Sequence, residues 1–150
     1  MDRIEIWIPL IVGALAVAFT MLVHGAAVIA TLHFVRHKRT RGRLGVVFWA
    51  DLTTFGVGLG IALLAHLVAI GAWAWLFVLC GEFQASGIAF YHSAMNYTTL
   101  GYGDVVMSPA WKILGPLEAT VGLLMFGVST GVLVALIQRL AMARFPELRD

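Results

Sequence analysis

Three long stretches of this 150-residue chain carry no permanent charge, and no other feature of the sequence limits its fold so strongly. Residues 6–34, 52–81 and 119–138 contain no Asp, Glu, Lys or Arg, and His24, His33 and His66 are the only basic side chains inside them. Each stretch reaches or exceeds the ~20 residues that cross the hydrocarbon core of a bilayer. A chain of this size with 61% apolar and 12% charged residues has too little interior to hide its apolar surface, so lipid is its expected solvent. The first stretch is too long for the roughly 7–15-residue core of a secretory signal, and its flank (Asp2, Arg3, Glu5) is not net positive, so it reads as a true helix. A single cysteine, Cys80, excludes an intrachain disulfide and a cysteine-built metal site. There is no nucleophile beside a placed base, no phosphate-binding glycine loop and no metal-ligand cluster. Neither an enzyme activity nor a cofactor is expected.

Between the first two stretches, Arg36, Lys38, Arg39, Arg41 and Arg43 put five positive charges into eight residues. A basic run confined to a tight loop between apolar spans reads as a topology signal and not as a nucleic-acid surface, and it keeps the loop cytoplasmic. The same five residues are expected to meet anionic lipid headgroups. The N-terminus then lies outside and the C-terminus, with Arg139, Arg144 and Arg149 near it, lies in the cytoplasm of a multi-pass protein of the cell membrane (inner or plasma). Residues 82–109 must begin and end on the outer side, yet they are too short and too polar to cross twice. Residues 87–98 suffice for about three helical turns. A polar run with two glycines follows, then Ser108-Pro109, which reads as an N-cap with proline at the first helical position. A short helix that enters the membrane and returns as extended backbone is tolerated only where it lines water or protein.

The returning stretch is Thr98-Thr99-Leu100-Gly101-Tyr102-Gly103-Asp104. Carbonyls of successive residues can face one axis only if left- and right-handed backbone angles alternate, and Gly101 and Gly103 adopt the left-handed one at little steric cost. The run resembles the selectivity filter of potassium channels, T-T-V-G-Y-G-D, with Leu100 in place of valine. The resemblance implies an all-α membrane fold: three transmembrane helices plus a re-entrant pore helix and a selectivity-filter loop, assembled as a homotetramer that closes rings of carbonyl oxygens. Potassium ions, the permeant ligand, would be held at Thr99, Leu100, Gly101 and Tyr102, with the Thr99 hydroxyl at the inner end. Tyr102 would wedge the filter against the pore helix, and Asp104 would stand at the outer mouth. The implied organisation is an extra N-terminal helix (1–35), a basic loop (36–43), a pore domain (44–140) and a short tail (141–150). The pore domain divides into an outer helix (44–81), pore helix and filter (82–107) and inner helix (109–140). The implied function is passive, potassium-selective conduction. A weakly selective cation channel, or a subunit or regulator of a potassium transport system, is the alternative. No gating stimulus is legible.

On the inner helix, Gly122 falls where such channels place a bending glycine, and Phe126, Gly127 and Thr130 lie in a stretch similar to their cavity segment. Gly127 and Gly131 also suit close helix packing. Pro116 leaves the carbonyl of Lys112 without a helical partner, which predicts a bend. Met95 stands where several relatives carry a glutamate paired to the filter aspartate, so Asp104 is expected to lack that partner. Glu118 is expected either to bond Asn96 or Tyr97 behind the filter or to be solvated, and Tyr91 and His92 would form an aromatic cuff. Gly56 and Gly60 offer a face for the alanine-rich first helix. His24, Asp51 and His66 fall within spans and are candidates for intramembrane pH sensing. Measured from the basic loop at ~1.5 Å per residue, His24 lies roughly 18 Å and Asp51 roughly 12 Å deep, which allows either a buried pair or a histidine bonded to a backbone carbonyl.

Overall fold

A computed structural model describes residues 3–41 and 47–145. Arg43, the expected domain boundary at 44 and Arg149 lie outside the described residues. Helices α1 (Arg3–Thr40), α2 (Phe48–Leu79), α3 (Ser86–Tyr97) and α4 (Leu114–Arg144) follow one another, with no strand among the described residues. The stretches Ile6–Thr40, Phe48–Leu79 and Leu114–Arg144 are long and apolar enough to cross a membrane. Their outward faces are apolar too: Leu15, Leu22, Leu63, Leu64, Leu123 and Leu124 are all exposed. A helix that is apolar all round suits lipid on one side and protein on the other. Four hydroxyls inside these helices bond back to carbonyls one turn earlier, Thr20 to Ala16, Thr31 to Ala27, Thr54 to Ala50 and Thr120 to Pro116, so these four need no water.

The helix ends differ from the expected ones for local reasons. The first helix continues to Thr40 because Lys and Arg are good helix formers. The last begins at Leu114 and not at 109. Ser108 does not cap it: its backbone N–H and hydroxyl both donate to the Glu82 carboxylate at 2.6 Å, and its carbonyl holds a turn by accepting from Trp111 and Lys112. Pro116 therefore sits in the first turn of α4, where a missing N–H costs nothing, and Lys112 precedes the helix. The expected proline bend has no basis.

The chain divides into two compact units, one of residues 1–23 and 66–126, the other of residues 24–65 and 127–150. The first holds the core, in which Ala69, Ile70, Trp73 and Phe77 of α2 meet Tyr97 of α3 and Leu114, Val121 and Met125 of α4. Within this unit α1 is tied on by the Trp73 indole, which donates to the Thr20 hydroxyl at 3.0 Å, and by Gly13, whose missing side chain leaves room for Leu114 and Leu117.

In the second unit, Thr31 packs at Gly58, beside Leu133 and Leu136 of α4. Gly58, and not Gly56 or Gly60, is the glycine of close approach, since a Cβ at either of those would meet nothing within 4 Å. Thr31 level with Gly58 also sets the α1–α2 register. In antiparallel helices it puts Asp51 level with residue 38, about 20 Å along the axis from His24. The two do not pair. The depth reckoning failed because α1 runs on to Thr40 and α2 starts only at Phe48, which moves the two residues in opposite directions. Asp51 instead lies 3.5 Å from Arg144, which also sits 5.5 Å over the Phe48 ring, so the two helix ends are clipped together. His24 is buried among Thr31, Gly58 and Ser129.

At Gly122 the neighbour is backbone: any Cβ would collide with the Tyr97 carbonyl. Backbone cannot swing aside as a side-chain tip can, so Gly122→Ala should lower stability by about 1–3 kcal/mol, as overpacking does. Thermal unfolding in detergent reads this, with Gly127→Ala, open at that position, expected to stay near the parent.

Candidate functional site

Helix α3 is short, but its contacts show where it runs. Ser93 reaches the carbonyl of Ile70 and the Tyr97 hydroxyl reaches His66 Nδ1 at 3.1 Å, so α3 travels back along α2. Glu118 meets Ser93, and Gly122 meets Tyr97, so α3 is parallel to α4 on its other side. The chain then returns along α3. Thr99 N–H donates to the Asn96 carbonyl at 2.8 Å and Gly101 N–H to the Met95 carbonyl at 3.1 Å. Further along, the Tyr91 hydroxyl donates to Asp104 at 2.9 Å. Finally the Ser108–Glu82 bonds close the excursion at its base.

Within this return, left-handed backbone alternates with ordinary backbone: φ is 60° at Thr99, 53° at Gly101 and 75° at Gly103. The glycines were expected there. Thr99 is the surprise, since a β-branched residue at positive φ is a genuine outlier costing on the order of 1–3 kcal/mol, and such strain persists where the surroundings over-determine it. Those surroundings are the Asn96 and Met95 carbonyls, which hold the N–H groups on either side. Thr98, capping α3, turns its hydroxyl back to the Ala94 carbonyl at 2.7 Å. Leu100, Tyr102 and Val106 are 52%, 70% and 74% exposed, a row of apolar side chains without cover from their own chain. Beside them lies a cavity of about 520 Å³, lined by Tyr91, Met95, Asn96, Asp104 and Lys112 among others.

The supporting shell is polar and largely buried. His92 packs against Phe77 and Phe83 with ring centroids 5.5 and 5.0 Å away. Its Nε2 accepts from the Asn96 amide and its Nδ1 donates to the Val105 carbonyl, each at 3.0 Å, a pattern that assigns the neutral Nδ1–H tautomer. Glu118 has no exposure, and its Oε1 lies 2.5 Å from the Ser93 hydroxyl. Asn96, the partner expected from the sequence, also bonds this carboxyl, and Ser93 is an additional one; Ser93 and Tyr97, like Glu118 and Gly122, share a face at a spacing of four. With Met95 where several relatives carry a glutamate, Asp104 accepts instead from Tyr91, and that bond raises the Tyr91 phenol above its ordinary pKa. Among the candidate residues of the inner helix, Phe126 stacks on His66 at 4.3 Å. Gly127 and Thr130 are exposed. His66 thus serves the packing of Tyr97 and Phe126.

Comparison with known proteins returned one family. A family model described as "Ion channel" matches residues 63–139, just over half of the chain. No curated protein and no solved structure matches.

Burial lowers the His92 pKa below its usual value, against smaller opposing effects of the Val105 carbonyl, Asp104 and Glu82. A histidine whose pKa falls on folding leaves the unfolded chain binding more protons below about 6.5, so stability should drop as pH falls through that value and level off once the folded ring titrates. Thermal unfolding between neutral and mildly acidic pH should show this limb in the parent and a reduced one in His92→Gln.

Proposed function

The chain belongs to the ion channel family, a multi-pass membrane protein with a channel domain spanning just over half of its length, and from that membership we propose that it conducts potassium selectively. Four copies set their residues 98–104 around one axis, and ions pass down their gradient between rings of oxygens from Thr99, Leu100, Gly101 and Tyr102. The observation that carries this reading is the alternation of positive φ at residues 99, 101 and 103. Alternating handedness turns successive carbonyls to one side of the strand, which is what replacing an ion's hydration shell requires. A threonine held at φ 60° supports it further, because only the carbonyl direction gains from that strain.

Depth and surface agree. Tyr97 is level with His66, thirteen residues from the end of α2, so the extended return begins about 20 Å along that helix, near the middle of a bilayer. Irregular backbone at that depth belongs beside protein or water. Exposed Leu100, Tyr102 and Val106, next to an open cavity, leave surface that further copies of the chain would cover. The open sides of Gly127 and Thr130 then line the inner cavity. Arg36, Lys38, Arg39 and Arg41 hold the α1–α2 connection in the cytoplasm against anionic headgroups, which leaves the N-terminus outside. Ion flow of this kind involves no chemical step, so no enzyme activity is assigned.

Purified protein in planar bilayers tests the proposal. Under bi-ionic potassium and sodium, the reversal potential should sit far toward the potassium limit, and Gly103→Ala, which strains a residue at φ 75°, should abolish current or selectivity. Reversal near zero would establish a weakly selective cation channel instead. A monomer silent in potassium-loaded liposomes would make the chain a subunit or regulator of another transport system.

A further inference from the structure

Glu118 lies on α4 and is fully buried, facing the hydroxyl of Ser93 on α3. That hydroxyl has a second neighbour, the carbonyl of Ile70 on α2, at 2.8 Å. A serine hydroxyl owns one hydrogen, and a carbonyl can only accept. If Ser93 gave its hydrogen to a Glu118 carboxylate, its oxygen and that of Ile70 would face each other at 2.8 Å with nothing between them. If it gives the hydrogen to Ile70, the 2.5 Å approach of Glu118 needs a second hydrogen, and only Glu118 can bring it. The shortness of the contact fits either direction; the Ile70 carbonyl decides. The other oxygen, Oε2, is buried with no donor at close hydrogen-bonding distance among the described residues, the Asn96 amide being the further group set against this carboxyl. That position is less costly for a neutral acid's carbonyl than for half of a carboxylate.

The titratable groups around it are His66 from α2 and His92 and Tyr97 from α3. His66 and Tyr97 bond each other, and His92 bonds Val105 and Asn96. Lys112, ahead of α4, lies with Asp104 on the cavity wall. From α1 come Gly13, against Leu114 and Leu117, and Thr20, bonded to Trp73. Among the described residues no cation is set against the Glu118 carboxyl.

We propose that Glu118 is a neutral carboxylic acid that donates to Ser93, and that the resulting Glu118–Ser93–Ile70 relay is a positioning device for the conducting backbone. The relay joins three helices at one point and sets the height of α3 between the two long ones. One turn further along α3, the Met95 and Asn96 carbonyls hold Gly101 and Thr99. A shift of α3 moves those carbonyls and with them the left-handed joints at 99 and 101. This inference rests on the potassium-channel reading for its consequence, but not for the protonation of Glu118.

Two measurements on the full-length protein in liposomes test it. The infrared spectrum should contain a protonated-carboxyl stretch that disappears in Glu118→Gln, and this outcome is independent of which ion is conducted. In bi-ionic recordings, Glu118→Gln, which keeps a donor and the shape, should retain the parent's potassium-to-sodium permeability ratio. Glu118→Leu and Ser93→Ala should each lower that ratio about tenfold, the scale of one lost buried hydrogen bond. Absence of the infrared band, a Glu118→Gln channel as impaired as Glu118→Leu, or a Ser93→Ala channel equal to the parent would each overturn the proposal. A parent that passes sodium as well as potassium while keeping the band would instead sink the potassium reading alone.

Discussion

Backbone that leaves a helix inside a bilayer finds no partner in lipid, so its N–H and C=O groups must be met by protein or by a water-filled cavity. The last turn of α3 does this for the N–H groups of Thr99 and Gly101, and much of the surrounding architecture holds that turn in place. The Tyr97 carbonyl is pressed against Gly122, the Tyr97 hydroxyl is tied to His66, and Ser93 touches both long helices. Each of these contacts is polar or sterically exact in a region otherwise filled by Leu, Val and Ala. That is a sensible division of labour in a membrane. Apolar packing between helices gains little over packing against lipid, whereas an unmet polar group there is costly, so polar contacts specify position.

Much of this was legible in the sequence, for physical reasons. Spans need an apolar run of ~20 residues free of charge, a local property that residues 6–34, 52–81 and 119–138 display openly. The 98–104 stretch is contiguous, and its two glycines announce unusual backbone by residue type alone. What stayed hidden depends on pairs distant along the chain. Glu82 takes the backbone and side chain of Ser108 from twenty-six residues away, which delays the start of α4 and cancels the bend expected at Pro116. The supposed meeting of His24 with Asp51 failed because register depends on where two helices begin, and ends are the least local feature of a helix. Thr99 escaped notice because residue type argues against its conformation; only the carbonyls on either side of it impose it.

The first helix is bound to the rest by small contacts, a glycine that admits Leu114 and Leu117 and a threonine that receives an indole hydrogen. Nothing in it forms a ladder of arginines. Its contacts are with α2 and α4.

The double bond from Ser108 to Glu82 fastens the excursion shut at its neck. Once that neck is closed, the two ends of the intervening chain are fixed beside each other. Sequence drift at its exposed positions, away from Ser93 and Tyr97, need not then disturb the long helices. In such a molecule the exposed part of the insert and the part that anchors in lipid can diversify on separate schedules.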